Sequence, residues 1–111
     1  MNLIELHQKA LAAAADAAAA QDKALGPEDL RGFDCGFAWV EAPKAKMNTK
    51  EGKALKALGF EKIWSPAKGA YLWNPGKFPS QSISVHYAGA KAYVEAMKPA
   101  GIEMFANQRY D

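Results

Sequence analysis

The stretch Gly32-Phe33-Asp34-Cys35-Gly36-Phe37-Ala38-Trp39-Val40 decides the fold. Bulky or apolar side chains at every second position alternate with mostly small ones, and this two-residue period predicts a β-strand over residues 33–40. Both faces of the strand are largely apolar, which is typical of an inner strand. The two glycines would let a neighbouring helix or a ligand approach the backbone closely. We therefore expect this strand to lie inside a sheet.

Upstream, the alanine-rich residues 3–25 predict one long helix. Alanine is the best helix former, and the run ends at Gly26-Pro27. The apolar seam of this helix consists of small residues, so a partner helix can come close although each contact buries little area. The partner could be a helix of the same domain or a second copy of the chain, which would make a homodimer.

Downstream, the pattern predicts two further helices and three further strands. Asn48 and Glu51 have the spacing of a capping box. The predicted helices span residues 48–58 and 84–98, and the predicted strands span residues 60–64, 70–73 and 102–105. Asn74-Pro75-Gly76-Lys77 has the composition of a type II turn.

The order is therefore a helix followed by β-α-β-β-α-β, the pattern of ferredoxin-like folds. We predict an α+β fold with an antiparallel sheet that carries its helices on one face. The chain should form a single domain over residues 1–111, with residues 1–26 as the N-terminal helix and residues 32–106 as the core. The N-terminal helix, a second subunit or a ligand should cover the other sheet face.

Composition excludes several classes of protein. Of the 111 residues 50% are hydrophobic and 23% are charged, as in ordinary globular domains. A single cysteine excludes a disulfide framework and fits a reducing compartment. No apolar run reaches the roughly 20 residues of a membrane span, and the N-terminus lacks the features of a signal peptide. We predict a cytoplasmic protein with no membrane partner.

The net charge of +2 is distributed unevenly. Residues 1–30 hold two lysines and five acidic residues, whereas residues 44–77 hold eight lysines and two acidic residues. Lysines are dense around the predicted start of the second helix, where the helix dipole disfavours cations and attracts anions. Together with free backbone N–H groups they can bind a phosphate or a carboxylate. Solvated surface lysines would produce the same pattern.

The predicted binding site combines this helix start with aromatic side chains of the following hairpin. Trp73 or Tyr71 would stack on a base while lysines contact phosphate, as in proteins that bind single strands. Core packing is the alternative role for these rings. Gln81 precedes the last helix and could hydrogen-bond a polar ligand. The predicted ligand-binding residues are Lys44, Lys46, Asn48, Thr49, Lys50, Lys53, Tyr71, Trp73 and Gln81.

No spaced set of residues indicates catalysis. Cys35 and His86 could act as nucleophile and base only if they were adjacent in space. Cys35 shares its strand face with Phe37 and Trp39, where an inert core thiol is expected. His7, His86 and Cys35 are too widely spaced to predict a metal site. We predict a binding protein that is not an enzyme and uses no cofactor.

In its size, its Cys35–Trp39 stretch and its Trp73–Gly76 turn, the chain resembles the small accessory proteins that bacteriophages encode. The resemblance implies takeover of a host protein or interference with a host defence, in the cytoplasm of a bacterial host. Such proteins usually act by binding. Two ligand classes stay open: a phosphate-bearing ligand (nucleotide, cyclic nucleotide or single-stranded nucleic acid), or a host protein held through an exposed helix or sheet face.

Overall fold

The computed structural model describes residues 2–27, 35–46, 48–62 and 69–110. The predicted α+β class is confirmed, because a long N-terminal helix and further helices accompany a four-stranded antiparallel sheet. In chain order the elements are α1 (Leu3–Leu25), β1 (Gly36–Ala42), α2 (Lys50–Ala57), β2 (Glu61–Lys62), β3 (Ala70–Trp73), α3 (Ile83–Ala96), a 3-10 turn (Lys98–Ala100) and β4 (Phe105–Tyr110).

Helix α1 begins and ends where the sequence predicts. The Asn2 side chain caps its first turn by accepting a hydrogen bond from the Glu5 N–H at 2.8 Å. Gly26 ends the helix with a φ of 77°, a conformation that strains residues with a side chain. Among the residues that the structure describes, no helix has the length and apolar character needed to span a membrane.

The alanine seam of α1 contacts α3 and the turn after β3. A Cβ atom built on Gly89 would lie 3.3 Å from the Ala14 carbonyl oxygen and 3.3 Å from the Gly76 Cα. A Cβ atom on Gly76 would lie 3.1 Å from the same oxygen and 3.2 Å from the Ala18 Cβ. Three backbone segments therefore meet with almost no side chain between them. Of the partners considered for α1, a helix of its own domain is the one observed.

Strand β1 is an inner strand, as predicted. The sheet order is β2-β3-β1-β4, and each neighbouring pair is antiparallel. Ala38, Val40 and Ala42 are buried in the core that the helices cover. Phe37 and Trp39 point to the opposite face and are only half-buried. The beginning of the predicted strand, at Phe33 and Asp34, lies outside the described residues.

Several predicted element boundaries differ from the structure: β1 continues to Ala42, α3 spans Ile83–Ala96 rather than residues 84–98, and the start of α2 and the last strand were also misplaced. Thr49, not Asn48, caps α2, because its hydroxyl accepts a hydrogen bond from the Gly52 N–H at 3.1 Å. The last strand runs over Phe105–Tyr110 rather than residues 102–105. Its extent follows its pairing with β1, which runs from Gly36 opposite Tyr110 to Glu41 opposite Phe105. The local alternation of side chains did not reveal this pairing.

The predicted turn after β3 closes at the expected place with a different conformation. The Lys77 N–H donates to the Asn74 carbonyl at 3.1 Å. Asn74 and Lys77 have positive φ values of 43° and 49°, whereas Gly76 does not have the positive φ that a type II turn requires. Glycine is required at this position because a side chain would press against the Ala14 carbonyl and Ala18 of α1. Of the predicted strand 60–64, Glu61–Lys62 is observed, and residues 63–64 lie outside the described ranges.

We expect Ala14→Leu to destabilise the protein, because the added carbons have no space between the Gly76 turn and Gly89. Overpacking of this kind costs about 1–3 kcal/mol, which urea unfolding would measure. Ala15→Leu is the matched control, since Ala15 is exposed on the same helix and both residues favour helix. Equal stability of the two variants would contradict the close packing described above.

Candidate ligand-binding surface

Within the described ranges, five aromatic side chains lie on the sheet face that points away from the helices. Trp39 is paired with Trp73, and Glu41 is paired with Tyr71 on one side and with Phe105 on the other. Directly paired residues share a sheet face, as do residues two apart in a strand. We call this surface the aromatic face, and its aromatic members are Phe37, Trp39, Tyr71, Trp73 and Phe105.

Two tryptophans form the centre of the aromatic face. The rings of Trp39 and Trp73 are stacked, with centroids 5.7 Å apart and planes inclined by 8°. The Phe37 ring lies 5.4 Å from the Trp73 ring at an angle of 37°. Trp73 is nevertheless 50% exposed, and Phe105 is 42% exposed. These contacts hold the Trp73 indole in a defined orientation while half of it stays accessible to a ligand.

Two carboxylates hold the rings in place. Glu41 Oε1 accepts hydrogen bonds from Trp39 Nε1 at 2.8 Å and from Asn107 Nδ2 at 3.1 Å. Glu61 Oε2 accepts one from the Tyr71 hydroxyl at 3.0 Å. This hydrogen bond raises the pKa of the Tyr71 phenol. The aromatic face therefore combines exposed rings with hydrogen-bond acceptors.

The Lys46 carbonyl of the preceding loop lies against the predicted anion site at the start of α2. The Lys46 carbonyl accepts hydrogen bonds from the Thr49 N–H at 2.9 Å and from the Thr49 hydroxyl at 2.6 Å. The same carbonyl fills the space that a side chain at Gly52 would need. A carbonyl oxygen at a helix start takes the place of an anion and opposes a second negative charge. A phosphate would have to compete with it.

The predicted lysines surround this helix start as exposed side chains. Lys44, Lys46, Lys50 and Lys53 are all exposed. Lys44 Nζ lies 3.0 Å from Glu103 Oε2, and the two side chains are 82% and 52% exposed. Exposed ion pairs of this kind contribute little to stability. Because Lys44 follows β1, it lies at the end of the aromatic face where Tyr71 is found.

Gln81 lies at the opposite end of β1. Its carbonyl accepts a hydrogen bond from the Gly36 N–H at 3.1 Å, and its side-chain oxygen accepts one from Cys35 Sγ at 3.7 Å. The strand from Gly36 to Ala42 extends roughly 20 Å at about 3.3 Å per residue. The structure therefore separates Gln81 from the lysines by the length of the strand. One mononucleotide cannot contact both ends, whereas a chain of several nucleotides can.

Cys35 and His86 belong to opposite sides of the sheet. Cys35 lies two residues before Phe37 and therefore on the same face as Phe37 and Trp39. It is exposed, so the expectation of a core thiol is wrong. His86 is buried on α3, and no partner is described for its Nδ1 atom. Across the described ranges, no three histidine, cysteine or acidic side chains group closely enough to hold a metal ion.

Sequence reasoning missed a buried polar pair between α1 and α3. His7 Nδ1 lies 2.7 Å from the Tyr93 hydroxyl. Burial, helped by the positive charge of Lys77, lowers the pKa of His7, and burial raises the pKa of Tyr93. Both side chains are therefore neutral at neutral pH. The signal in the sequence is that His7 continues the helical stripe of Ala10 and Ala14.

Comparison of the chain with protein-family models, curated proteins and solved structures gives no match. Its function must therefore be inferred from its own residues.

Because the pKa of His7 is lowered in the folded chain, protonation of His7 favours unfolding. The stability present above the unfolded pKa of about 6.5 is lost as the pH falls through the folded pKa. We expect the wild-type protein to lose more stability than His7→Gln between about pH 7.5 and about pH 5. Urea unfolding at each pH measures this difference. Identical pH profiles for the two proteins would contradict a buried neutral His7.

Proposed function

We propose that the protein is a non-enzymatic binding protein whose aromatic face stacks the bases of a phosphate-bearing ligand. Single-stranded nucleic acid is the ligand class that fits best. The observation that carries the proposal is the stacked pair of Trp39 and Trp73, in which Trp73 is half exposed. Exposed aromatic rings on a sheet stack the bases of single-stranded nucleic acids. Such stacking tolerates any sequence because every base has a π face.

The strand order supports this proposal. β3 lies between β1 and β2, while β1 lies between β3 and β4. We infer from these two interleaved split β-α-β units that the arrangement is ferredoxin-like. In RNA-recognition domains, aromatic side chains of a four-stranded sheet stack two or three bases. Here both inner strands, β1 and β3, supply aromatic residues. The likeness concerns architecture and supports the proposal only together with the exposed rings.

Cations flank the aromatic face at both ends. Arg109 is paired with Phe37 at one end, and Lys44 follows Glu41 at the other. About 13 Å of strand separates Phe37 from Glu41 at roughly 3.3 Å per residue. The carboxylates of Glu41 and Glu61 repel phosphate, but they can accept hydrogen bonds from base amino groups such as cytosine N4. We therefore place the phosphates at the ends and the bases between them.

The lysine-rich start of α2 has a secondary part in this proposal. The Lys46 carbonyl lies against the helix start. The lysines between residues 44 and 53 would therefore attract a polyanion through their charge rather than through a closed phosphate pocket. This long-range attraction suits a nucleic acid strand better than a single nucleotide.

A protein partner is the second candidate, and the two acidic residues of the aromatic face favour it. Tryptophan, tyrosine and arginine dominate binding energies at protein interfaces, and this surface contains all three. Glu41 and Glu61 would then pair with basic groups of the partner. Either ligand is compatible with the proposed role of a phage accessory protein. Such a protein would act in host takeover or anti-defence in a bacterial cytoplasm.

We expect Trp73→Ala to weaken binding of labelled single-stranded oligonucleotides by roughly 5- to 150-fold, because base stacking is worth about 1–3 kcal/mol. Fluorescence anisotropy measures this affinity. Trp73→Phe should retain most of it. Ile4→Ala is the matched control, since Ile4 is 60% exposed on α1, away from the aromatic face.

Two outcomes would contradict nucleic-acid binding: no affinity of the wild type for any DNA or RNA oligonucleotide, or equal affinity of the wild type and Trp73→Ala. Retention of a purified host protein by the wild type but not by Trp73→Ala would then support the second candidate.

We also expect Lys44→Gln to weaken oligonucleotide binding equally for all base sequences. The slope of log affinity against log salt should fall by about one, because a phosphate contact is lost. Lys9→Gln is the control: it removes the same charge from an exposed position on α1. An unchanged salt slope in Lys44→Gln would show that this end of the aromatic face does not contact phosphate.

A further inference from the structure

The two edge strands of the sheet differ in their protection against pairing. The described residues of β2, Glu61 and Lys62, are both exposed and charged. β4 has six residues, Phe105–Tyr110, of which only Arg109 is charged. Charged edges resist pairing with another chain, whereas long edges with few charges invite it. Within the described part of the chain the sheet ends at β4, so another strand can add there.

Hydrogen bonds identify the backbone groups that β4 presents at this edge. The Ala38 carbonyl accepts from the Asn74 N–H at 3.1 Å, so Ala38 directs its backbone groups away from β4. Its partner Gln108 is therefore a non-hydrogen-bonded residue of the β1–β4 ladder. Consistently, the Gln108 N–H donates to Asn107 Oδ1 at 2.9 Å. By alternation, Ala106 and Tyr110 also present their backbone groups outward.

We propose that two copies of the chain pair antiparallel through β4, with Asn107 of each copy on the two-fold axis. The two four-stranded sheets then form one continuous eight-stranded sheet. In the single chain Asn107 Oδ1 satisfies the Gln108 N–H, and in the dimer the Ala106 carbonyl of the second copy takes its place. This proposal does not rest on nucleic-acid binding, although Phe105 and Arg109 belong to both surfaces.

Sheet periodicity restricts the possible registers. A continuous sheet pairs residues that lie on the same face, so Phe105, Asn107 and Arg109 must meet their counterparts in the second copy. With Asn107 on the axis, Phe105 lies opposite Arg109 of the second copy, which favours a cation–π contact. A two-fold axis through Gln108 would instead place Arg109 opposite Asn107 of the second copy, which removes the contact between Phe105 and Arg109.

The same register places Tyr110 of the second copy opposite Met104. Thioethers pack favourably against aromatic rings. Met104 lines a groove of about 610 Å³ between α3 and β4, together with Val94, Lys91 and Glu95. Tyr110 is 69% exposed in the single chain. In the dimer each Tyr110 ring enters the groove of the other copy, so the contact is reciprocal, as two-fold symmetry requires.

A cysteine cross-link tests both the dimer and its register, in a Cys35→Ser background. Asn107 and its symmetry mate form a non-hydrogen-bonded pair with Cα atoms about 4.5 Å apart, within the range of about 4.4–6.8 Å that a disulfide requires. Oxidised Asn107→Cys should therefore migrate as a covalent dimer of the 12.0 kDa chain. Arg109→Cys is the matched control on the same strand face, because its two copies would be roughly 14 Å apart along the strands.

Sedimentation equilibrium provides a second measurement on the unmodified protein. Between low micromolar and near-millimolar concentration, the wild type should change from monomer to dimer. Tyr110→Lys should shift the equilibrium to monomer. Ile4→Lys should not, although Ile4 is 60% exposed. Circular dichroism checks that each variant is folded.

Three results would overturn the proposal. The first is a wild-type protein that stays at 12.0 kDa at every concentration. The second is Arg109→Cys cross-linking as readily as Asn107→Cys. The third is a dimer that neither cysteine captures and that Tyr110→Lys does not weaken, which would place the interface elsewhere.

Discussion

The rest of the structure depends on the contact between α1, α3 and the Gly76 turn. Cβ atoms at Gly76 and Gly89 would lie 3.1 Å and 3.3 Å from the Ala14 carbonyl, so these segments meet backbone to backbone. Alanine buries little area, and the contact therefore relies on many close dispersion contacts along a long helix rather than on a few large side chains. The buried hydrogen bond between His7 and Tyr93 ties the same two helices together. With α1 held on α3, the far face of the sheet keeps exposed aromatic side chains, including Trp73 and Phe105.

Strand β1 connects this core to the candidate binding surface. One set of its side chains, including Ala38 and Val40, is buried under the helices, while Phe37 and Trp39 lie on the aromatic face. Trp39 is held by the Glu41 hydrogen bond and by its stack on Trp73. A ring that is already ordered loses little conformational entropy when a ligand binds. The rings of this face are therefore held in fixed orientations beside two carboxylates.

The start of α2 combines a dense positive charge with a backbone contact that charge density alone does not reveal. Four exposed lysines and a helix dipole indicate an anion site in the sequence. In the folded chain the Lys46 carbonyl approaches Gly52 and accepts hydrogen bonds from Thr49, so a partial negative charge lies beside the helix start. Composition cannot reveal a backbone carbonyl that arrives from the preceding loop. Tyr71 and Trp73 were predicted to act with the lysines, and both lie on the aromatic face. Trp73 stacks on Trp39, a partner that the sequence did not identify.

The sequence by itself determined the features that depend on local propensity and periodicity: the extent of α1, the inner position of β1, strand β3 and the α+β class. Tertiary structure alone decided that β4 runs to Tyr110, because its length follows its pairing with β1. It also placed Gln81 and Lys44 at opposite ends of the sheet and exposed Cys35. These outcomes depend on which segments approach one another in space. A local pattern specifies the face on which a side chain lies, whereas the partner that covers this face is selected by packing of the whole chain.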